Sequence, residues 1–528
     1  MLIIDQLSYI HSDKETLFHN LQFSLSTGKK AAIIGNNGAG KSTLLKLIAG
    51  QQNPNAGRIN VAEKPYYLPQ LFDAFHGVTV AQALGIAQKL SAFHAILEGD
   101  ATDENLLLLD DDWTLEERCA EAFARWEIQH IQLDQAMATL SGGQKSKVFL
   151  AGITIHQAKF VLMDEPSNHL DTAGRQLLYD FIQHSPLTLL VVSHDRTLLN
   201  LLDTMYELSK VGIKTYGGNY DFYAEQKGIA EGALHDHIHA QEKELRKARE
   251  KERQVNERQQ KLDNRGSKKQ LKAGVSRIMM NTLRNQAEQS SAKNKQVHQD
   301  KIGTISRELT ELRGQRPEID KMKFDFTTTT LHQGKVLFSL QAVNYSYGSE
   351  SLWSENHSLQ INSGERIALT GGNGSGKTTL IQLLLGQLSP STGVITKAAI
   401  QSVYIDQDYS LLENQLSVYE QAEYFNNGSL AEHDIKIRLD RFLFSKETWT
   451  KRCDALSGGE RMRLALCCLT ISSQAPDLIV LDEPTNNLDL QNIGILTSAL
   501  QQYQGTLLVV SHDATFLAEI GINRWINL

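Results

Sequence analysis

The sequence predicts an α/β protein made of two copies of one domain, each a largely parallel sheet with a helical subdomain, joined by a long antiparallel helical hairpin. Three observations carry this prediction. An ordered set of motifs occurs twice along the 528 residues. Each copy alternates short apolar strands with helical patterns, which is how a parallel sheet with crossover helices reads in sequence. Between the copies, about 110 residues carry narrow apolar stripes at helical spacing.

Composition sets the bounds. A chain this long exceeds one ordinary core, so several domains are expected. Hydrophobic residues at 41% and charged residues at 22% describe a globular chain and exclude a disordered one. Apolar runs such as "LTLLVVSH" and "FVLMDE" fall far short of the roughly 20 residues that span a bilayer. The start, "MLIIDQLSYIHSD", lacks the basic segment of a secretory signal. Cys119, Cys453, Cys467 and Cys468 show no C-x-x-C spacing. They read as buried thiols, and a reducing cytoplasm is the expected location.

The repeat is explicit. "AAIIGNNGAGKSTLLKLIAG" from Ala31 returns as "IALTGGNGSGKTTLIQLLLG" from Ile367. "LSGGQ" at Leu140 returns as "LSGGE" at Leu456, "FVLMDEPSNHLD" as "LIVLDEPTNNLD", and "LLVVSHD" at Leu189 recurs unchanged at Leu507. Residues 1–222 and 334–528 are the expected copies, with 223–333 as connector. From Gln70 to Ser141 is 71 positions, against 50 from Gln407 to Ser457. The surplus falls at about 88–118 of the first copy, as a larger helical subdomain or an arm with its own contact.

The repeated motifs point to phosphate chemistry. "GNNGAGKS" (Gly35, Asn36, Asn37, Gly38, Ala39, Gly40, Lys41, Ser42), followed by Thr43, fits G-x-x-x-x-G-K-[ST] between a strand and a helix. So does "GGNGSGKT" (Gly371, Gly372, Asn373, Gly374, Ser375, Gly376, Lys377, Thr378), followed by Thr379. Glycines let backbone N–H groups curl around phosphate oxygens, and the helix N-terminus adds positive potential. Lys41 and Lys377 would reach the β- and γ-phosphates, while Ser42 and Thr378 would ligate Mg2+. Asp164 and Asp482 end apolar strands, where a carboxylate can face the magnesium shell. Glu165 and Glu483 follow, placed to orient or deprotonate an attacking water. His194 and His512 lie 29 positions beyond their glutamates in both copies, which favours γ-phosphate sensing. Gln70 and Gln407, 29 and 30 positions after the motif lysines, suit contact with magnesium or water.

This set resembles the ATP-binding-cassette family over nearly all of both copies. The resemblance implies that ATP and Mg2+ are the cofactors and that each ATP is shared between copies. Lys41 and Glu165 would share one nucleotide with Ser457, Gly458, Gly459 and Glu460. Lys377 and Glu483 would share the other with Ser141, Gly142, Gly143 and Gln144. "SGG" supplies unhindered N–H groups at a helix start, an anion site for a phosphate held opposite. Tyr347 matches the aromatic on which the family stacks adenine. The aligned residue of the first copy is His11, with Tyr9 two positions earlier.

The connector differs in charge from the rest of the chain. From Gln241 to Asp300 there are 16 Lys and Arg against 8 Asp and Glu, in a chain of formal net charge -8. No proline lies between Pro186 and Pro317. Leu234, Ile238 and Leu245 on one side, and Ile302, Ile305, Leu309 and Leu312 on the other, read as two antiparallel helices zipped along one seam. "DNRGSKKQLKAGV" (Asp263–Val275) reads as their turn, after arms of some 35–40 residues. Arg265, Lys268, Lys269, Lys272, Arg277 and Arg284, with no acid from Asn264 to Gln286, suit RNA phosphates.

A tandem cassette chain with a basic helical connector is similar to the ABC-F group, whose connector reaches the ribosome near the peptidyl-site tRNA. "YGGNYDFYAEQK" (Tyr216–Lys227) resembles that group's entry into the connector. The resemblance implies an ATPase, a ribosomal partner, and a monomer whose cassettes pair within one chain, acting in translation or in ribosome protection against antibiotics. The alternatives are the ATPase subunit of a transporter with a separate membrane protein, or a DNA-acting cassette ATPase. Some relatives of the latter extend beyond the second cassette with a DNA-binding coiled coil, whereas this sequence stops 16 residues after His512.

Overall fold

The computed structural model describes the chain except residues 12–15, 71–74, 76, 210, 271–295, 297–298, 315–330, 333, 349, 429 and 473. Two compact units form: Met1–Tyr223 with Lys321–Leu528, and Ala224–Asp320.

The first unit holds both copies. The first copy has a six-stranded sheet in the order Tyr66–Leu68, Phe160–Asp164, Thr188–Val192, Lys30–Ile34, Thr204–Ser209, Gly212–Tyr216. Every pairing is parallel except the last. The second copy has Ser402–Ile405, Leu478–Asp482, Thr506–Val510, Arg366–Thr370 and Arg524–Asn527, all parallel. The central strands Phe160–Asp164 and Thr188–Val192 are buried at all five positions. Cover on both faces explains why they read as unbroken apolar runs rather than alternating ones.

A three-stranded antiparallel sheet accompanies each parallel sheet, Thr16–Leu25, Leu2–Ile10, Ala56–Val61 in the first copy and His357–Asn362, Val336–Asn344, Thr392–Lys397 in the second. In the first copy, Leu2, Phe18, Ile33, Leu44, Leu162 and Val192 fuse the two sheets and the helix Lys41–Ile48 into one core. On the opposite face, Leu68, Phe123, Trp126, Phe149 and Met163 join the helical subdomain to the sheet. The four cysteines are free and buried.

Helices Val80–Ala83, Ala87–Leu97, Asp103–Leu109 and Leu115–Arg125 stand in the first copy where the second has Val418–Phe425 and Glu432–Arg441. The longer stretch leaves Leu97, Leu107 and Trp113 exposed.

The second unit is a helical pair. One helix runs Tyr220–Gln270, 51 residues, and the other occupies 299–314. Ile238, Ile305 and Leu309 are buried along the seam. Gln241 Nε2 donates to Glu308 Oε2 at 3.5 Å and Arg313 Nη2 donates to Glu242 Oε1 at 2.6 Å, tying the two helices together. The expected turn at Asp263 comes too early, because the helix continues through Gly266 to Gln270. A single glycine costs a helix roughly 1 kcal/mol relative to alanine, and the neighbouring Lys, Arg and Gln are good helix formers. Residues 271–275 of that turn lie outside the described residues. Among the described residues, no helix is long and apolar enough to cross a membrane.

Candidate functional site

Each phosphate loop turns into its helix at a glycine whose backbone is left-handed, Gly40 at φ 94° and Gly376 at φ 92°. A Cβ at Gly40 would come within 2.6 Å of Leu17 Cδ2, so glycine is required by both conformation and space. Lys41 Nζ donates to the carbonyls of Gly35 at 2.7 Å and Asn36 at 3.2 Å. Lys377 Nζ donates to Gly371 and Gly372, both at 2.9 Å. Burial lowers the Lys41 pKa, and Glu165 and Asp489 oppose that shift.

The glutamates that follow the strand-end aspartates emerge from the central strands. Glu165 and Glu483 take left-handed backbone, φ 51° and 48°. Their N–H groups are held by the carbonyls of Val192 at 2.8 Å and Val510 at 2.9 Å. Strain of this kind persists where the surroundings fix it, and here two strands do so. Burial pushes the Glu165 carboxyl up to about 8 and that of Glu483 to about 7. A carboxyl in that range can hold or release a proton near neutral pH, as general acid–base work needs. His194 Nε2 lies 3.4 Å from Glu165 Oε1, and His512 Nε2 lies 3.2 Å from Glu483 Oε1. Burial lowers both imidazoles, His512 to about 4.

Asp164 and Asp482 face their loop hydroxyls: Ser42 hydrogen-bonds Asp164, and Thr378 Oγ1 donates to Asp482 Oδ2 at 3.2 Å. Asp164 Oδ1 and Glu483 Oε2 are buried without a hydrogen-bond partner. Among the described residues no cluster of three or more His, Cys, Asp or Glu could hold a metal alone. One carboxylate and one hydroxyl per site fit Mg2+, which keeps waters and takes substrate phosphate oxygens. When bound, Mg2+ neutralises charge on the phosphates; Ser42, Asp164 and Gln70, or Thr378, Asp482 and Gln407, are the side chains that would hold it.

Two cavities lie between the copies. The larger, about 450 Å³, is lined by Lys41, Ser42, Thr43, Gln70, Asp164, Glu165, His194 and His11 of the first copy. The second copy contributes Thr485, Asn486, Asn487 and Leu488 to it, and Ser457, Gly458 and Gly459 are not among its lining residues. The smaller, about 240 Å³, brings Ser141, Gly142 and Gly143 together with Asn373, Gln407, Glu483 and His512. A Cβ on Gly143 would come within 2.8 Å of the His169 carbonyl and 3.2 Å of Asn373 Nδ2, so this close approach also requires glycine. Gln144 and Glu460 cap their own helices, accepting the N–H of Ser141 at 2.9 Å and of Ser457 at 2.8 Å. Tyr347 is exposed, with its hydroxyl 3.1 Å from Thr379 Oγ1. In the first copy, Tyr9 packs on Phe18 and His11 takes the cavity wall. Arg265 is exposed on the long helix, and Lys268 and Lys269 belong to the same helix. Lys272, Arg277 and Arg284 lie outside the described residues.

Sequence reading missed two pairs. The hydroxyls of Tyr67 and Tyr404 donate to Asp164 Oδ2 at 3.3 Å and Asp482 Oδ2 at 3.1 Å. Both tyrosines stand three residues before their glutamine, so the repeat itself held the signal. Asp171 and Asp489 each work twice. Asp489 Oδ1 caps its helix at Asn492 N, 2.8 Å, while Oδ2 accepts the N–H of Asn37 in the opposite copy, also at 2.8 Å. Asp171 caps at Gly174 N, 2.9 Å, and accepts the N–H of Asn373.

This geometry agrees with comparison to known proteins. The family model described as "ABC transporter" matches residues 18–168 and 354–486. The ATP-binding protein Uup of Haemophilus influenzae is 30% identical, covering 96% of this chain and 76% of its own length. ABC transporter F family member 5 of Arabidopsis thaliana is 29% identical, over 97% and 73%. Among solved structures, the archaeal ribosome recycling factor aABCE1, in complex with the ribosomal stalk protein aP1, aligns with TM-score 0.61 at 21% identity. That alignment covers 99% of this chain and 87% of the other and shows a likeness of fold. The chain belongs to the ATP-binding-cassette family, in its tandem-cassette F group, and is an ATPase.

Proposed function

We propose that this ATPase binds the ribosome in its ATP state and leaves after hydrolysis. ATP draws the two cassettes together at two composite sites, and the basic hairpin meets ribosomal RNA and the peptidyl-site tRNA. Lys41 and Lys377 hold the phosphates, Asp164 and Asp482 hold Mg2+, and Glu165 and Glu483 orient the attacking water. Support in translation and protection against a ribosome-targeting antibiotic would share this machine.

One observation carries the reading. The helix Tyr220–Gln270 presents Lys247, Lys251, Arg258, Lys261 and Arg265 in exposed positions. Their spacings of 4, 7, 3 and 4 residues put them on one face. The half-buried Leu245, Ala248, Glu252 and Val255 follow a different face, so the charges are free for a partner. At about 1.5 Å per residue, the 51 residues span roughly 75 Å. A long basic row of that kind suits the phosphates of folded RNA. The name of the structural relative, a ribosome recycling factor, is in keeping with a ribosomal partner.

The test uses the double variant Glu165→Gln, Glu483→Gln with ATP. It should co-sediment with ribosomes and remain there, whereas the unaltered chain cycles off. Recovery with membranes alone, or salt-sensitive binding to duplex DNA without ribosomes, would overturn the reading.

A further inference from the structure

The two sites receive unequal help from the opposite cassette. Thr172 and Arg175 belong to the helix Thr172–His184, which Asp171 caps in the first cassette. Thr172 Oγ1 lies 3.1 Å from Nδ1 of His512, in the second site. Arg175 is buried and lines both cavities, the one that contains Glu483 and His512 and the one that contains Glu165 and His194. Its Nε donates to the Leu170 carbonyl at 3.2 Å, and its Nη1 lies 3.6 Å from Asp195 Oδ2, beside His194 of the first site. Counting equally from Asp171 and Asp489, the counterparts in the second cassette are Leu490 and Ile493. Ile493 lines the first site's cavity, and neither residue can form a side-chain hydrogen bond. His194 Nδ1 is accordingly buried with no hydrogen-bond partner.

We infer that Thr172 is a positioning residue that acts in trans on the second ATP site alone, with Arg175 beside it as a residue that reaches both sites. A hydroxyl donating to Nδ1 of neutral His512 fixes the tautomer whose Nε2–H points at Glu483, 3.2 Å away. Arg175 sets a cation opposite Glu483 and ties that wall of the cavity to Asp195, the residue after His194 in the first cassette. The second site thus answers to the first cassette's helix Thr172–His184. At the places of Thr172 and Arg175 the first site faces leucine and isoleucine, and its polar contacts from the second cassette come instead from Asp489 and Asn487. This inference rests on ATP hydrolysis and not on the ribosomal reading.

The test isolates each site in the full-length protein, with Glu165→Gln leaving the second site active and Glu483→Gln leaving the first. Thr172→Leu and Arg175→Ile install the second cassette's own residues. With the second site working, each should lower kcat about tenfold and alter the KM for ATP less than about threefold. Thr172→Ser and Arg175→Lys should restore most of the rate. With the first site working, Thr172→Leu should change kcat by no more than about twofold, whereas Arg175→Ile, at a residue that lines both cavities, should lower it there too. If thermal unfolding shows Thr172→Leu to be misfolded, Thr172→Val, which keeps the shape without the hydroxyl, carries the test. For Thr172→Leu, equal losses at both sites without rescue, or no loss at either, would overturn the inference.

Discussion

The backbone N–H of Asn37 donates to Asp489 Oδ2 at 2.8 Å, fastening the first phosphate loop to a helix of the second cassette. Because Oδ1 of the same carboxylate caps that helix, cap and seam can be separated by mutation. Asp489→Asn keeps a capping oxygen but can turn an NH2 toward a donor. It should leave Tm nearly unchanged while weakening ATP hydrolysis at the first site severalfold, read in the Glu483→Gln background. Asp489→Ala loses both functions. It should lower Tm as well, by about 2–4 °C for a cap worth about 1 kcal/mol. Equal Tm loss in both variants would assign Asp489 to the cap alone.

What sequence revealed and what it hid divide along physical lines. Phosphate loops, strand-end carboxylates and switch histidines are local: a glycine demand or a strand terminus puts the chemistry at a fixed spacing, and duplication made it unmistakable. Tyr67 and Tyr404 also repeat, but a tyrosine in an apolar strand reads as core until its hydroxyl is seen on Asp164 or Asp482. Thr172 and Arg175 were hidden for the opposite reason. They break the repeat, and their importance lies in what the other cassette brings to within a few ångströms. The pairing of Lys41 with Ser457 and Gly459 came from family resemblance. The first cavity instead receives Thr485–Leu488 from the second cassette, a seam no spacing encodes. At the hairpin, two glycines read as a turn, yet the helix runs through Gly266, since one glycine is a weak break inside a long run of good helix formers.

The two tyrosines should tune metal binding. Each orients a carboxylate that would hold Mg2+, and such supporting contacts typically alter metal affinity or activity 10–100-fold. Tyr67→Phe, in the Glu483→Gln background, should raise the Mg2+ concentration for half-maximal ATPase about tenfold with little change in Tm. Tyr404→Phe should do so in the Glu165→Gln background. Tyr66, whose hydroxyl donates to the Phe149 carbonyl at 2.8 Å, is the control. Tyr66→Phe should leave the magnesium dependence where it was.

Arg196 Nη1 meets Glu519 Oε1 at 2.5 Å across the cassette seam. The arginine is buried and the glutamate about a third exposed, so solvent screens the pair. A double-mutant cycle with Arg196→Ala and Glu519→Ala should give a coupling of about 0.5–1 kcal/mol. Raising salt to about 1 M should shrink it, since a Debye length near 3 Å screens a half-open pair. Alanine is already the counterpart of Arg196, at Ala514, so the variant should fold. Strict additivity would mean that the pair contributes nothing to holding the cassettes together.

The basic row on the long helix makes the most direct prediction about a partner. Lys247, Lys251, Arg258, Lys261 and Arg265 are exposed and lie away from the seam that buries Ile238, Ile305 and Leu309. Replacing all five with glutamine should therefore spare helix content and Tm, because glutamine is nearly as good a helix former. Ribosome-free ATPase should stay within about twofold, since none of the five lines either cavity. Ribosome affinity should fall and lose much of its salt dependence, with the slope of log K against log salt reduced by about 1 for each phosphate contact removed. Single substitutions sharpen the result. If Arg265 alone carries the loss, contact concentrates toward the far end of the helix, whereas equal shares along the row mean that RNA follows the helix for several turns. An unchanged slope after all five replacements would show that the charges serve solubility, and that ribosome binding, if found, comes from the cassettes.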